Sequence, residues 1–286
     1  MRRRHRIVTL VVVAISLSLA FGQKRDALGI PHFQALTPAH PTESPDTVRL
    51  AVIVKVPYDA IQFLKQGNSF QAEYELAVTI QDAEENQIVE RIRQHAVTTD
   101  KYRQTISSRT FDLPMQTFRL VPAEYKCIIE LTDEDTRKSG RQTIDLNLSR
   151  FTGDVVIGDL VLVDPQTKTD DYPAGIPIIP SRIADTDSVF HIYYNTRIPT
   201  GEYTLQKKTI SVEDEVLTEE TMVRNTPGPT VTEVIEVRQP DVPGNKFKLK
   251  LKVEQGGESS ESELVVEIRW LGLKAHVSNL DEAVEQ

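Results

Sequence analysis

The residues able to do chemistry in this chain are six histidines, a single cysteine and several runs of carboxylates. His5, His32, His40, His95, His191 and His276 include no pair spaced i, i+2 or i, i+4, so no strand or helical turn offers two imidazoles to one metal ion. His95 in RIRQHAV and His191 in VFHIYYN fall within alternating segments and read as ordinary strand residues. Cys127 lies in EYKCIIEL on one side with Tyr125, Ile129 and Leu131. With no neighbouring histidine to take its proton, it is expected to be a buried apolar thiol.

Carboxylates gather at Asp133–Asp135, at Asp170 and Asp171, at Asp185 and Asp187, and at Glu213–Glu215. Calcium would draw on such groups, since a hard cation takes about six to eight oxygens, but none of the runs alternates as D-x-D-x-D-G. A glycosidase pair is a matter of separation in space, which no spacing here specifies. There is no G-x-S-x-G, P-loop or H-E-x-x-H. The expectation is therefore of no catalytic residue, no cofactor and no metal ligand. Tyr172, Tyr193, Tyr194 and Tyr203 form the densest aromatic region, readable either as a sugar or peptide platform or as cross-strand packing.

These side chains sit on a chain patterned for strands. TVRLAVIVKV places Val48, Leu50, Val52, Val54 and Val56 on one side, and FQAEYELAVTI alternates Phe70, Ala72, Tyr74, Leu76, Val78 and Ile80 against polar residues. PYDAIQFLKQGN predicts a turn or one helical turn, DAEENQ predicts a hairpin, and strands follow near 87–98, 102–112, 116–121, 124–132 and 140–148. About seven short strands with turns between them are the pattern of an immunoglobulin-like sandwich. VPAEYKC places Tyr125 as a tyrosine corner. From residue 153 the pattern recurs. DVVIGDLVLVD reads as a strand pair or one bent strand, a Pro- and Asp-rich loop follows, and strands are expected in SVFHIYYNT, GEYTLQKKTISVE, EVLTEETMVRN, TVTEVIEVRQ, NKFKLKLKVEQ and SELVVEIRW. The segments that begin VPAEYKCIIEL and VPGNKFKLKLK form a faint repeat in which Tyr125 falls opposite Phe247.

The start of the chain addresses compartment. MRRRHR is a positive n-region, IVTLVVVAISLSLAF an apolar h-region, and Ala20-Phe21-Gly22 offers small residues for cleavage before Gln23. The apolar run is shorter than the roughly 20 residues that cross a bilayer, so no span is expected after cleavage. His5 and Arg6 stand where a twin-arginine signal wants apolar residues, and a lipoprotein would need a cysteine at the cut. A lone cysteine excludes an intramolecular disulfide. The formal charge of −9 becomes more negative once the signal's four arginines leave, which argues against nucleic acid as a partner.

VPYDAIQFLKQGNSFQAEYELAVTIQD, then FDLP, PAEYKCIIELTDEDTRKSGR, GDLVLVD and finally VEIRWLGLKAHVSNLDEAVEQ resemble the exported bacterial proteins called GWxTD domain-containing proteins. In that family such a closing segment leads into a helical region and then the Gly-Trp-x-Thr-Asp domain. Here the sole tryptophan, Trp270, follows Arg269 and the motif is absent, so none of the family's name-giving residues maps onto this chain. The biochemical role that the resemblance implies is undefined.

The expected fold is all-β, with two antiparallel immunoglobulin-like β-sandwich domains in tandem at 47–150 and 153–271. A signal peptide at 1–22 and a disordered leader or linker at 23–46 precede them. Residues 272–286 read as the short helical start of a truncated region, since Ser278 or Asn279 can cap it and Asp281 and Glu282 suit its first turn. The expected function is a non-catalytic binding or scaffolding module of the cell envelope, periplasmic or at the cell surface, with a protein or glycan partner. The alternative is that these are accessory domains of a larger envelope hydrolase.

Overall fold

The computed structural model describes residues 29–169, 174–184, 189–240 and 245–269. The expected signal peptide, the first part of the leader, Trp270 and the expected helical start at 272–286 lie outside the described residues.

In the first half the strands are β1 (Gln34–Leu36), β2 (Ala39–Pro41), β3 (Val48–Pro57), β4 (Leu64–Gln66), β5 (Ser69–Gln81) and β6 (Gln87–Thr99). These are followed by β7 (Phe111–Asp112), β8 (Met115–Leu120), β9 (Glu124–Asp133) and β10 (Ser139–Asn147). β3 lies between β1 and β2 on one side and β7 and β8 on the other. The facing sheet runs β10-β9-β5, with β4 and β6 also on β5. Alternation decides which side chains meet between the sheets: Leu50, Val52 and Val54 from β3 pack against Leu76, Val78, Cys127 and Ile129 in one buried cluster.

The second half contains β11 (Val156–Ile157), β12 (Val161–Asp164), β13 (Ile176–Pro177), β14 (Arg182–Ala184) and β15 (Val189–Arg197). β16 (Gly201–Ile210), β17 (Val216–Thr226), β18 (Thr230–Arg238), β19 (Lys246–Gln255) and β20 (Glu258–Arg269) complete it. Its first sheet runs β11-β15-β12-β13 with β18 on the far side of β15, and its second runs β14-β20-β19-β16-β17. A separate cluster of Ile192, Tyr194, Leu205, Phe247, Leu249 and Val266 lies between them. Strand order therefore repeats. β15, β16, β17, β18, β19 and β20 follow one another in the second half as β3, β5, β6, β8, β9 and β10 do in the first, and each half opens with a strand broken in two. The faint sequence repeat is the β9-β10 hairpin and its counterpart β19-β20. Tyr125 pairs across with Leu146, and Phe247 with Val266.

Three expectations change. Residues 34–36 and 39–41 of the expected disordered leader are strands, and Ala39, His40 and Pro41 are buried. Pro38 breaks this segment but does not unfold it, because β1 and β2 need only one hydrogen-bonding neighbour, β3. The expected strand at 102–112 is a helical turn, Tyr102–Thr105, followed by the two-residue β7. Local bonds win there: Thr105 donates to the Tyr102 carbonyl at 2.8 Å, and Ser107 Oγ accepts from the Arg109 and Thr110 amides. The Pro- and Asp-rich loop contains β13 and β14, the latter parallel to β20.

Candidate functional site

The two halves meet where the broken first strand of each comes together. Ala39 of β2 donates its amide to Asp159 Oδ2 at 2.7 Å, and the Asp159 amide returns a bond to the Ala39 carbonyl at 2.8 Å. Arg150 binds the other oxygen of Asp159 and lies over the Phe151 ring at 4.2 Å. Burial raises the Asp159 carboxyl above its usual range, and Arg150 opposes that rise. Gly158 is required by this approach, since a Cβ there would stand 2.7 Å from His40 Nδ1 and 3.1 Å from the Asn195 carbonyl oxygen. β11 is shared between the cores: Val156 packs into the first and Ile157 into the second.

Arg197 closes the junction. Its buried guanidinium donates to the carbonyls of Thr42 and Ser44 in the first half, and to those of Phe151 and Gly153 in the connecting segment. Five planar N–H donors suit a ring of fixed carbonyls, a geometry that lysine cannot supply.

Beside the junction the outer face of β3 is covered by the second half. Ala51 and Ile53 pack with Ile179, Ile176 and Met115 in a third apolar cluster, and Lys55 donates to the Ile179 carbonyl at 2.7 Å. Short of full contact, the two faces leave a groove. One part is a slot of about 350 Å³ between Ala51, Ile53 and Met115 on one wall and Val161, Val163 and Pro177 on the other. His40, Arg49, Thr117 and Tyr193 form its polar lining. The adjoining part, about 500 Å³, is polar; Arg49, Arg119, Glu43, Asn195, Thr230 and Thr232 contribute to it. Arg49 borders both parts and donates to Tyr193 Oη at 3.4 Å.

Among the described residues, Asn195 Oδ1 and His40 Nδ1 are buried here without a hydrogen-bond partner. Burial, with Arg49 and Arg150 nearby, pushes the His40 pKa down to about 3, so its ring is neutral. It meets Tyr193 edge to face at 5.3 Å.

The residues singled out in the sequence are dispersed. Cys127 is fully buried and its thiol is pushed up to about 12 by burial. His95 stacks on Tyr74 at 5.1 Å, and the Tyr74 hydroxyl donates to Asp112 at 2.5 Å, a packed cluster within the first sandwich. Asp133 organises its own turn, accepting from the Thr136 and Gln62 amides at 2.7 and 2.6 Å. Asp214 pairs with Lys248 at 2.7 Å. Among the described residues no three His, Cys, Asp or Glu side chains gather as a metal site. Asp170, Asp171, Asp185, Asp187 and Tyr172 lie outside the described residues. The aromatic region divides among the described residues: Tyr194 and Tyr203 are buried in the second core, with the Tyr194 hydroxyl donating to Glu233 at 2.7 Å, and Tyr193 faces the groove.

Sequence reasoning missed His40, Arg49, Arg119 and Asn195. One signal was present. TVRLAVIVKV carries Ala51 and Ile53 on the side that alternation assigns to water, which marks a face covered by something else.

No family model matches the chain, and no curated protein matches it. Solved structures similar to it include a biofilm-associated protein BSP domain, at 9% identity and TM-score 0.24 over 86% of this chain and 52% of that one. A glycosyl hydrolase family 2 member from Bacteroides cellulosilyticus is 8% identical, at TM-score 0.30 over 88% of this chain and 33% of that one. The β-glucuronidase of Parabacteroides merdae is 8% identical, at TM-score 0.27 over 77% and 28%. The chain thus spans about half of the first and about a third or less of the other two.

Proposed function

We propose that this protein is an exported, non-catalytic binding module of the bacterial envelope that holds a protein or glycan partner in the groove between its two sandwiches. The observation that carries the reading is the groove itself: an apolar slot and a polar cleft that share Arg49 at their border, lined largely by strand residues, with buried polar atoms left unpaired. Pockets of this size with a few convergent polar groups are the usual form of a ligand site. Asp112 with Tyr74, Asp133 and Cys127 are held in packing or turn roles, which favours binding over turnover. Export is supported by the n-region, h-region and small-residue cut of residues 1–22. Among the described residues no helix is long and apolar enough to cross a membrane. Kinship with the GWxTD domain-containing proteins belongs to the same proposal and is supported by the ordered segments from VPYDAIQFLKQGN to VEIRW.

The test is retention on peptide and glycan arrays, compared with the Thr117→Trp variant. Thr117 is exposed on β8 and lines the slot, so the indole would fill it without entering a core. Retention by the native chain that the variant loses, with no hydrolysis of the retained ligand, supports the reading. Hydrolysis abolished by substitution of an Asp or Glu would defeat it.

A further inference from the structure

Arg49 and Arg119 are direct partners across β3 and β8, and both are exposed on the face that lines the polar cleft. Like charges directly opposite in a sheet repel, and the chain carries an excess of acid that could have neutralised them. Among the described residues neither arginine makes an ion pair. Arg49 bonds only to Tyr193 Oη, and Glu43 lines the same cleft without reaching either guanidinium within ion-pair distance. Two adjacent, unneutralised guanidinium forks form a receptor for a carboxylate.

Two further observations narrow the ligand. The slot that Arg49 borders is apolar, so the carboxylate is attached to an apolar body. Asn195 is 5% exposed and borders the cleft, and its Oδ1 is buried without a partner, so a small turn of its amide would offer an acceptor to a ligand donor close to the carboxylate. A peptide's carboxyl terminus combines these three features: a terminal carboxylate, a backbone N–H beside it and a side chain. We propose that the groove captures the free carboxyl terminus of a polypeptide ending in an apolar residue. In this arrangement the carboxylate lies between Arg49 and Arg119, the terminal N–H donates to Asn195, and the last side chain enters the slot between Ile53, Met115 and Val163. The inference rests on the binding-module reading and specifies its partner.

Calorimetric titration of the purified protein tests it with three probes: an N-acetylated hexapeptide ending in leucine with a free carboxylate, its carboxamide twin, and octanoate. The free acid is expected to bind at least about tenfold more tightly than the amide, because one charge-assisted fork is lost. Arg49→Gln combined with Arg119→Gln is expected to remove that preference while leaving the melting temperature unchanged or raised, since a repulsive pair is removed. Asn195→Ala is expected to weaken the peptide and leave octanoate unaffected. Equal affinity for acid and amide, no binding of the acid, or acid binding that survives the double substitution would overturn the proposal. Octanoate binding as tightly as the peptide would overturn the peptide as occupant. An array ligand lost on Thr117→Trp but retained by the double glutamine variant would leave the binding module standing and remove this inference alone.

Discussion

Tyr125 and His40 show how one side chain can report its surroundings. The Tyr125 ring is buried and its hydroxyl donates to the Val121 carbonyl at 3.1 Å, four residues back, which is the bond of a tyrosine corner. Tyr125→Phe keeps the ring and loses that bond, so chemical denaturation is expected to show a loss of about 1 kcal/mol; an unchanged midpoint would remove the corner. Its counterpart Phe247 keeps the plug and has no hydroxyl. His40 is buried with its pKa lowered to about 3, against an ordinary value of 6.5. Between those values the unfolded chain binds a proton that the folded chain refuses. This contribution is therefore constant above pH 6.5 and is lost as pH falls towards 3, at up to about 1.4 kcal/mol per pH unit. His40→Gln should flatten the acid side of the stability profile over that window, as followed by melting temperature against pH. An identical profile would mean that His40 is protonated in the fold.

The broken first strands, β1 with β2 and β11 with β12, depend on where the chain can approach another backbone. Gly158→Ala would place a methyl 2.7 Å from His40 Nδ1 and 3.1 Å from a fixed carbonyl, and is expected to destabilise by about 1–3 kcal/mol. Adding His40→Ala should recover part of that loss, whereas additive losses in the double variant would show that the two sites do not meet. The breaks explain what could be read beforehand. Long alternating segments such as 69–81 and 124–133 announced their strands because each has one wet face and one dry face. Residues 34–41 did not: two prolines in eight residues resemble a linker, and only pairing with β3 makes strands of 34–36 and 39–41. Residues 102–112 misled because hydroxyl-to-backbone bonds, invisible to periodicity, closed a turn. The groove was the least legible feature, since Arg49 with Arg119 and His40 with Gly158 are distant in sequence and become neighbours only through register and docking.

The sandwiches are joined by Arg197, whose guanidinium reaches carbonyls of the first half and of the connector. Arg197→Leu leaves those carbonyls without a donor and is expected to cost about 3 kcal/mol. The two main cores are separate clusters coupled by β11, the third apolar cluster and Arg197, so weakening that coupling is expected to let calorimetry resolve two unfolding transitions, against the single one expected of the native chain. Arg197→Lys should not restore the single transition, since one ammonium cannot span the carbonyls that the guanidinium reaches. The docking that Arg197 secures also shapes the groove, so fold and proposed function depend on the same contact. The most direct measurement is ligand retention by the native protein beside Thr117→Trp, with the melting temperature of both recorded. The predicted result is a ligand held without turnover by the native chain and lost from the variant at an unchanged melting temperature. Retention that is indifferent to the filled slot, or hydrolysis of the ligand, would contradict the groove as a binding site.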